Sequence, residues 1–313
     1  MTQKVNENSY TKIKASFMLI ALAIFCTVLS ERAAGYFLEG LKKCIFNLVP
    51  ITFPFMILAQ IYVNYSEAES TPILSKVIEK AFGISPASVR GMICGVLCGF
   101  PIGARISADL YALKRIGRSE AELLAALSSL PSVAFVLGAV GGGFFEDRSV
   151  GYILLFSLWS GTLLCRFVFN RSDCYSCYSD DILGQSIGMI DIIKGTGADT
   201  VSLCALVCAF NIPLGFIFDL PLSDTLKALL SAPIEVTGAL SAISTCNDIS
   251  LPIKLAISAF SLGFGGLCVM LQCAAYLKKQ GLSIFKFFVI KLFVGLFSGV
   301  ICVFAFFIKC VFC

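Results

Sequence analysis

The sequence predicts an all-α membrane protein, a polytopic transmembrane helical bundle of two homologous repeats that contain broken or re-entrant helices. Of its 313 residues 58% are hydrophobic and 14% charged, and the mean hydropathy is +0.89. A soluble domain carries roughly 25% charged residues, because its surface faces water. The hydrophobic residues also form long uncharged runs, close to the roughly 20 residues that a helix needs to cross a bilayer. We expect about eight to ten membrane segments in all.

The chain begins with a segment that resembles a signal peptide. Lys12 and Lys14 precede an apolar stretch over 15–30, but Glu31 and Arg32 follow it directly and no small-residue cleavage site is present. The absence of such a site favours an uncleaved helix. We therefore expect an N-terminal transmembrane helix within residues 1–32.

Later runs predict further crossing helices. The segment Ala33–Cys44 mixes aromatic and charged residues, which is typical of an amphipathic helix at the membrane interface. The clearest crossing runs are Ile45–Val63, Leu123–Phe145, Ser149–Cys165, Thr200–Phe218, Leu255–Leu277 and Leu292–Ile308.

One apolar run predicts a broken helix. Gly91–Ala104 holds only 14 uncharged residues between two arginines, which is too short to cross, and it contains Gly-Phe-Pro-Ile-Gly from Gly99 through Pro101 to Gly103. Inside a helix, Gly costs roughly 1 kcal/mol and Pro about 3 kcal/mol relative to Ala. Unwound backbone at membrane depth occurs only where it lines a cavity or is buried in protein.

A second stretch matches the first. Shifting the chain by 164 residues places Gly99-Phe100 on Gly263-Phe264 and Leu113-Lys114 on Leu277-Lys278, within six identities over 21 positions. We therefore predict a first repeat at 33–170, a polar connecting loop at 171–186 and a second repeat at 187–313. A duplicated unit with glycine-broken segments is typical of a transporter binding site.

Charged and polar residues after the first break are candidates for substrate binding. Arg105, Ser107 and Asp109 follow the glycines directly. A charge in a membrane segment faces a cavity or a partner, and a guanidinium suits a carboxylate. Arg105 therefore either contacts substrate or pairs with Asp109 one helical turn on, and the two roles can coexist.

The second repeat adds fewer polar groups. Gln272 is its one strong polar group near the break, and Gly263, Gly265 and Gly266 serve unwinding or close packing. Glu235 either binds a coupling cation or proton, or lies wet at the interface.

The run Cys98–Tyr111 (CGFPIGARISADLY), with its counterpart Leu262–Gln272 (LGFGGLCVMLQ), resembles the signature of YlbJ-type sporulation integral membrane proteins. These belong to the nucleoside-recognition or Gate domain superfamily, which includes concentrative nucleoside transporters. One departure is that Ser128 and Ser129 precede Pro131 where family members carry two asparagines. The resemblance implies a multi-pass protein of the bacterial cell membrane that moves dipicolinate across the outer forespore membrane.

We accordingly expect a transporter of a small organic anion, dipicolinate by resemblance. From the residues, Arg105 and the helix restarts would supply positive charge and free N–H groups, and Phe100 and Phe264 could stack on a flat ring. The alternatives are a nucleoside transporter and a non-transporting membrane scaffold or gate protein of sporulation.

Composition argues against several other classes. The chain has no His, which excludes His-based catalysis and His metal sites, and we expect neither an enzyme nor a cofactor. The 15 cysteines read as small hydrophobes, although Cys174/Cys177 and Cys310/Cys313 have a spacing that suits zinc. The net charge of +4 requires no nucleic acid. The expected partners are the small anion and the lipid bilayer, with a homo-oligomer left open.

The orientation of the repeats depends on their basic turns. Lys114, Arg115 and Arg118 lie in one turn, and Lys278 and Lys279 lie in the matching turn. Parallel repeats would place both turns in the cytoplasm. The superfamily resemblance implies inverted repeats, with matching turns on opposite faces, and this is the arrangement that we expect.

Overall fold

The computed structural model describes residues 30–65, 73–169 and 188–312, together with Ser16 and Ile20, and within these residues it contains helices and no strand. Most of the predicted N-terminal helix and the connecting loop 171–186 lie outside the described residues. The helices are α1 (Ser30–Lys43), α2 (Val49–Tyr65), α3 (Ile73–Phe82), α4 (Pro86–Cys98), α5 (Ile102–Ala112), α6 (Arg118–Ser128), α7 (Arg148–Phe169), α8 (Met189–Asp219), α9 (Asp224–Ser231), α10 (Val236–Thr245), α11 (Leu251–Phe264), α12 (Gly266–Lys279) and α13 (Ile284–Phe312). Two π-helical segments, Cys44–Leu48 and Phe135–Phe144, follow α1 and precede α7.

Four helical stretches in the described part of the chain are long and apolar enough to cross a membrane, and a bent pair of shorter helices would make a fifth. The four are Arg148–Phe169, Met189–Asp219, Leu251–Lys279 and Ile284–Val311. The bent pair joins Lys76–Phe82 to Pro86–Cys98 at 94°. The predicted all-α polytopic membrane bundle is confirmed.

The stretch from α1 through the π-helical segment to α2 is one continuous helical run. It packs antiparallel to α8: Arg32 pairs with Asp219 at 3.6 Å near one end, and the Thr200 hydroxyl lies 3.9 Å from Met56 Sδ further along. The amphipathic segment predicted at 33–44 is therefore not a separate interface element but the first part of a passage through the bundle.

Helices α4 and α5 form a re-entrant hairpin. At its base, the Ser85 amide and the Ser88 hydroxyl both donate to the Glu120 carboxylate at 2.6 Å, beside the start of α6. Within the hairpin, a β-carbon built on Gly91 would lie 3.3 Å from Ile106, so the two arms pack side by side. Since α5 ends at Ala112, just before α6, both arms open on one side of the bundle, which we call the basic side after the turns that lie there.

A second hairpin, α9 and α10, enters from the opposite side. Its base is closed by a hydrogen bond between the Thr225 hydroxyl and the Cys246 thiol, 3.6 Å apart. Its tip is the non-helical stretch 232–235. From Leu251, next to the base of this hairpin, α11 and α12 run through the bundle to the basic side.

In the part of the chain that the structure describes, two passages are interrupted in their middle. Helix α6 ends at Ser128, and the non-helical, largely buried stretch 129–132 separates it from the helix that continues to Phe144. The prediction of one uninterrupted crossing helix over Leu123–Phe145 is therefore wrong, because Pro131 lacks the N–H that would continue the helix. The second interruption is Gly265, between α11 and α12.

The two basic turns lie on the same side of the bundle. Arg118 Nη2 donates to the Gly281 carbonyl at 2.8 Å, and the Ser283 amide donates to Glu122 at 3.0 Å. The expectation that these turns lie on opposite faces is wrong. The 164-residue register also pairs α4, which starts on the basic side, with α11, which starts on the opposite side.

A different order of elements recurs in the two halves. Each half contains a hairpin, then an interrupted passage, then a long helix: α4–α5, α6–Phe144 and α7 in the first, and α9–α10, α11–α12 and α13 in the second. The second set enters from the opposite side. The division into repeats at 33–170 and 187–313 stays a prediction.

This arrangement predicts the sidedness of four turns. We expect protease sites inserted after Lys114 and after Gln280 to be cut from one side of the membrane, and sites after Glu146 and after Asp248 to be cut from the other. Proteolysis of right-side-out and inverted vesicles would measure this. The surplus of Lys and Arg near the first two sites predicts that their side is cytoplasmic. Cleavage of the first two sites from different sides would contradict the fold.

Candidate functional site

The candidate site is the centre of the bundle, where non-helical segments meet. The tip of the first hairpin packs on the interruption after α6: a β-carbon built on Gly99 would lie 2.8 Å from the Ser132 amide nitrogen. One built on Gly103 would lie 2.5 Å from the Ser128 carbonyl. Only glycine permits backbones to approach this closely.

The second hairpin tip meets the interruption at Gly265 through hydrogen bonds. The Leu267 amide donates to the Pro233 carbonyl at 2.8 Å, and the Cys268 amide donates to the Ile234 carbonyl at 3.1 Å. These donors belong to the first turn of α12. The expectation that this helix restart offers them to a ligand is wrong, because the hairpin tip already uses them.

The predicted glycines and proline have distinct structural roles. Gly99, Gly265 and Gly266 have φ of +82°, +91° and +72°, which favour glycine, and together with Pro101 they form the interruptions. Gly103 lies in the first turn of α5, so the break spans 99–101 rather than 99–103. Gly263 serves close packing, since a β-carbon built there would lie 2.9 Å from Gly295 on α13.

Glu235 lies at the second tip and is buried, with 8% of its surface exposed. Its carboxylate accepts hydrogen bonds from the amides of Thr237 at 2.8 Å and Gly238 at 2.7 Å, and it thereby caps α10. The alternative of a wet interfacial carboxylate is wrong. Cation binding by Glu235 stays a prediction.

Two other predicted residues are satisfied locally. The buried Ser107 hydroxyl donates to the Gly103 carbonyl of its own helix at 2.7 Å. The Gln272 amide nitrogen donates to Cys268 Sγ at 3.4 Å, also within one helix. Their bonding gives no independent sign of a ligand.

The centre contains a charged residue that the sequence analysis missed. Lys291 on α13 is 0% exposed, and its Nζ donates to the Ser129 carbonyl at 2.5 Å. A β-carbon built on Gly265 would lie 3.9 Å from Lys291 Cε, so this side chain joins the two interruptions. Among the described residues no carboxylate pairs with it.

A charge at the centre of a membrane helix costs about 2.5–3.5 kcal/mol on insertion scales and marks a functional site by default. Lys291 lies directly before the run Leu292–Ile308 that the sequence predicts to cross the membrane. The signal that could have found it is the length of the apolar stretch on both sides, because α13 continues from Ile284 to Phe312 with Lys291 well inside it.

Arg105 lies elsewhere, near the basic side, and is paired twice. Its Nε lies 3.7 Å from the Asp109 carboxylate one turn on, and its Nη1 donates to Asp199 of α8. The alternative of structural pairing is therefore present in the structure, with Asp199 as a second partner that the sequence did not reveal. Substrate contact by Arg105 stays a prediction.

A cavity of about 240 Å³ opens beside Arg105. Its lining includes the carboxylates of Asp109 and Asp199 and the side chains of Lys279 and Tyr276. The ring centroid of Tyr276 lies 5.9 Å from the guanidinium carbon of Arg105. Two acidic and two basic side chains leave it without net charge. An anion gains no overall attraction there.

No group of three or more His, Cys, Asp or Glu that could hold a metal occurs among the described residues. Cys310 is a free, exposed thiol in this part of the chain. Cys174, Cys177 and Cys313 lie outside it, so the zinc alternative is untested.

The chain is similar to a protein of known name. Over 338 aligned positions, covering 93% of this chain and 81% of the relative, it is 25% identical to the sporulation integral membrane protein YlbJ of Bacillus subtilis (strain 168). This similarity supports the interpretation of the chain as a YlbJ-like membrane protein. No protein-family model matches the chain, so the wider superfamily relation stays a prediction. No solved structure matches it either.

The close contact at the first hairpin predicts opposite effects for two glycine substitutions. Gly197→Ala on α8 has no atom within 4 Å of the new β-carbon and should stabilise by up to about 1 kcal/mol, because Ala favours helix. Gly103→Ala should destabilise by about 1–3 kcal/mol, because its β-carbon overlaps Ser128. Thermal unfolding of the detergent-solubilised variants measures both. A Gly103→Ala protein as stable as the wild type would refute the contact.

The double pairing of Arg105 predicts a structural role that can be rescued. Arg105→Ala leaves two partly buried carboxylates close together and should destabilise by up to about 3 kcal/mol. Adding Asp109→Asn and Asp199→Asn should recover most of the loss in unfolding temperature. The control is Lys278→Ala, an exposed site that should change little. Full stability of Arg105→Ala would favour the substrate-contact alternative.

Proposed function

We propose that this chain is a multi-pass membrane transporter that binds a small organic anion at the centre of the bundle, with Lys291 as the principal cationic contact. The main support is the environment of Lys291. This residue is fully buried, donates a hydrogen bond to a backbone carbonyl and has no carboxylate partner among the described residues. A buried charge of this kind is expected to meet a counter-charge. A bound anion supplies it.

The arrangement of the hairpins supports transport rather than static binding. The α4–α5 hairpin lies between the centre and the basic side, and the α9–α10 hairpin lies between the centre and the opposite side. We propose that the two halves are inverted repeats and that moving one hairpin opens the centre to one side. Inverted repeats with broken helices at a central site are a recurring transporter architecture.

The chemistry at the centre favours a planar dicarboxylate over a nucleoside. A carboxylate matches the ammonium of Lys291. Phe264, directly before the Gly265 interruption, is 4% exposed and already stacks on Phe260 with ring centroids 5.7 Å apart, so a flat ring could stack on it only if Phe260 moved aside. A neutral nucleoside needs several donors and acceptors, whereas Ser107, Gln272 and Glu235 are bonded within their own segments.

We propose dipicolinate as the anion and the outer forespore membrane as the site of action. The support for both is the similarity to a protein named for sporulation, together with the family resemblance of the Cys98–Tyr111 run. The chemistry at the centre supports the broader class of small carboxylates.

Uptake of labelled dipicolinate into proteoliposomes tests the proposal. We expect Lys291→Ala to lower uptake at least about tenfold, because a charge-assisted hydrogen bond contributes about 1.5–3 kcal/mol. The matched control is Lys309→Ala, which removes a lysine from the same helix at its outer end, where Nζ bonds Ser149. This control should transport like the wild type.

Three outcomes would contradict the proposal. Equal uptake by Lys291→Ala and wild type would remove Lys291 from the site. Uptake that uridine blocks and dipicolinate does not would favour the nucleoside alternative. No uptake of either compound by well-folded wild-type protein would favour the scaffold alternative.

A further inference from the structure

We propose that Lys291 also couples anion transport to a proton: it takes up one proton when the anion binds and releases it when the anion leaves. The inference rests on the proposed function, because it requires an anion at the centre. It adds a second transported species and makes the chain a proton–anion symporter.

The surroundings of Lys291 carry this proposal. The group is 0% exposed, and the carbonyl of Ser129, which directly follows α6, accepts its hydrogen bond. The titratable groups that face it are the thiols of Cys165 on α7 and Cys273 on α12, the latter 3.9 Å from the Ser129 hydroxyl. Within the described residues no acidic side chain pairs with it.

Among the described residues, these surroundings therefore offer an ammonium ion one backbone carbonyl and no counter-charge. A neutral amine in the same place avoids the cost of burying a charge. A bound dicarboxylate restores the counter-charge and favours the ammonium form. By linkage, a proton that strengthens anion binding is itself bound more tightly when the anion is present.

The step balances without another reactant. The Lys291 amine accepts a proton from water on the side to which the centre is open, and its nitrogen lone pair forms the new N–H bond. The resulting ammonium pairs with one carboxylate of the dianion. On the other side, the anion departs, the ammonium returns its proton to water, and the empty protein resets with a neutral amine.

The partly buried cation Arg105 behaves differently. Arg105 is held between Asp109 and Asp199, so its charge is balanced whether or not an anion is present. A guanidinium also keeps its proton in proteins. Unlike Arg105, Lys291 has an amine that can lose its proton and has no acidic partner among the described residues.

Proton uptake on binding is the first measurement. Dipicolinate is added to purified full-length protein in a weakly buffered detergent solution that contains a pH indicator. Binding of dipicolinate is measured in parallel by calorimetry. We expect about one proton taken up for each anion bound. In proteoliposomes with the membrane potential clamped at zero, an inward proton gradient should accumulate the anion up to about tenfold per pH unit.

Substitutions assign the proton to one residue. Lys291→Arg keeps a positive charge that does not deprotonate, so it should bind the anion without proton uptake. The control Lys309→Arg makes the same exchange on the same helix and should retain full proton uptake. Cys165→Ser combined with Cys273→Ser should also retain it.

Each outcome decides one of the two proposals. Saturable anion binding by the wild type without proton uptake overturns the coupling and leaves the proposed function standing. No anion binding by the wild type overturns the proposed function. Proton uptake that persists in Lys291→Arg, or that disappears in the double cysteine variant, moves the coupling away from Lys291. If Lys291→Arg does not fold, the wild-type stoichiometry and the cysteine variant still decide.

Discussion

Lipid offers no hydrogen bonds, so every backbone group that a broken helix frees inside the membrane must find a partner in the protein. In the second half of this chain, the amides of Leu267 and Cys268 are satisfied by the carbonyls of Pro233 and Ile234 on a hairpin tip. In the first half, Gly99 and Gly103 bring the other tip against the interruption that follows α6. Each hairpin is therefore in contact with one interrupted passage. A hairpin cannot move relative to its passage without a change in the backbone contacts between them.

The same constraint explains why a lysine can reside at the centre. Ser129 directly follows the last residue of α6, and the carbonyl end of a helix carries a partial negative charge. That charge and the hydrogen bond to Nζ reduce the cost of burying Lys291 but do not cancel it. Glu122, which is also buried, is by contrast fully paired: it accepts from Arg118, Lys286 and the Ser283 amide. Under the proposed function, this contrast would make Lys291 the group whose surroundings a bound anion changes most.

The sequence predicted what depends on local chemistry. Pro101 between two glycines predicts a break in the helix, and long apolar runs predict helices that cross the membrane. It did not predict the interruption at 129–132, where a single proline lies between ordinary residues, nor the contact between Arg105 and Asp199, which lie 94 residues apart. The 164-residue shift aligned two glycine-phenylalanine pairs correctly as sequence. The side from which each segment enters the bundle, however, depends on which segments contact one another, and tertiary contacts such as that of Arg118 with Gly281 determine this.

In the proposed transporter, the two charged regions would have separate roles, Lys291 in recognition and Arg105 in closure. Arg105 on the first hairpin pairs with Asp199 on α8, so this ion pair fastens the hairpin to a long helix of the other half near the basic side. Opening the centre to that side requires the pair to separate or both elements to move together. Because the adjoining cavity carries no net charge, the proposed anion would gain little there and would be held only on reaching Lys291. Selection would then take place at the centre, where release of the anion also removes the counter-charge that keeps the lysine protonated.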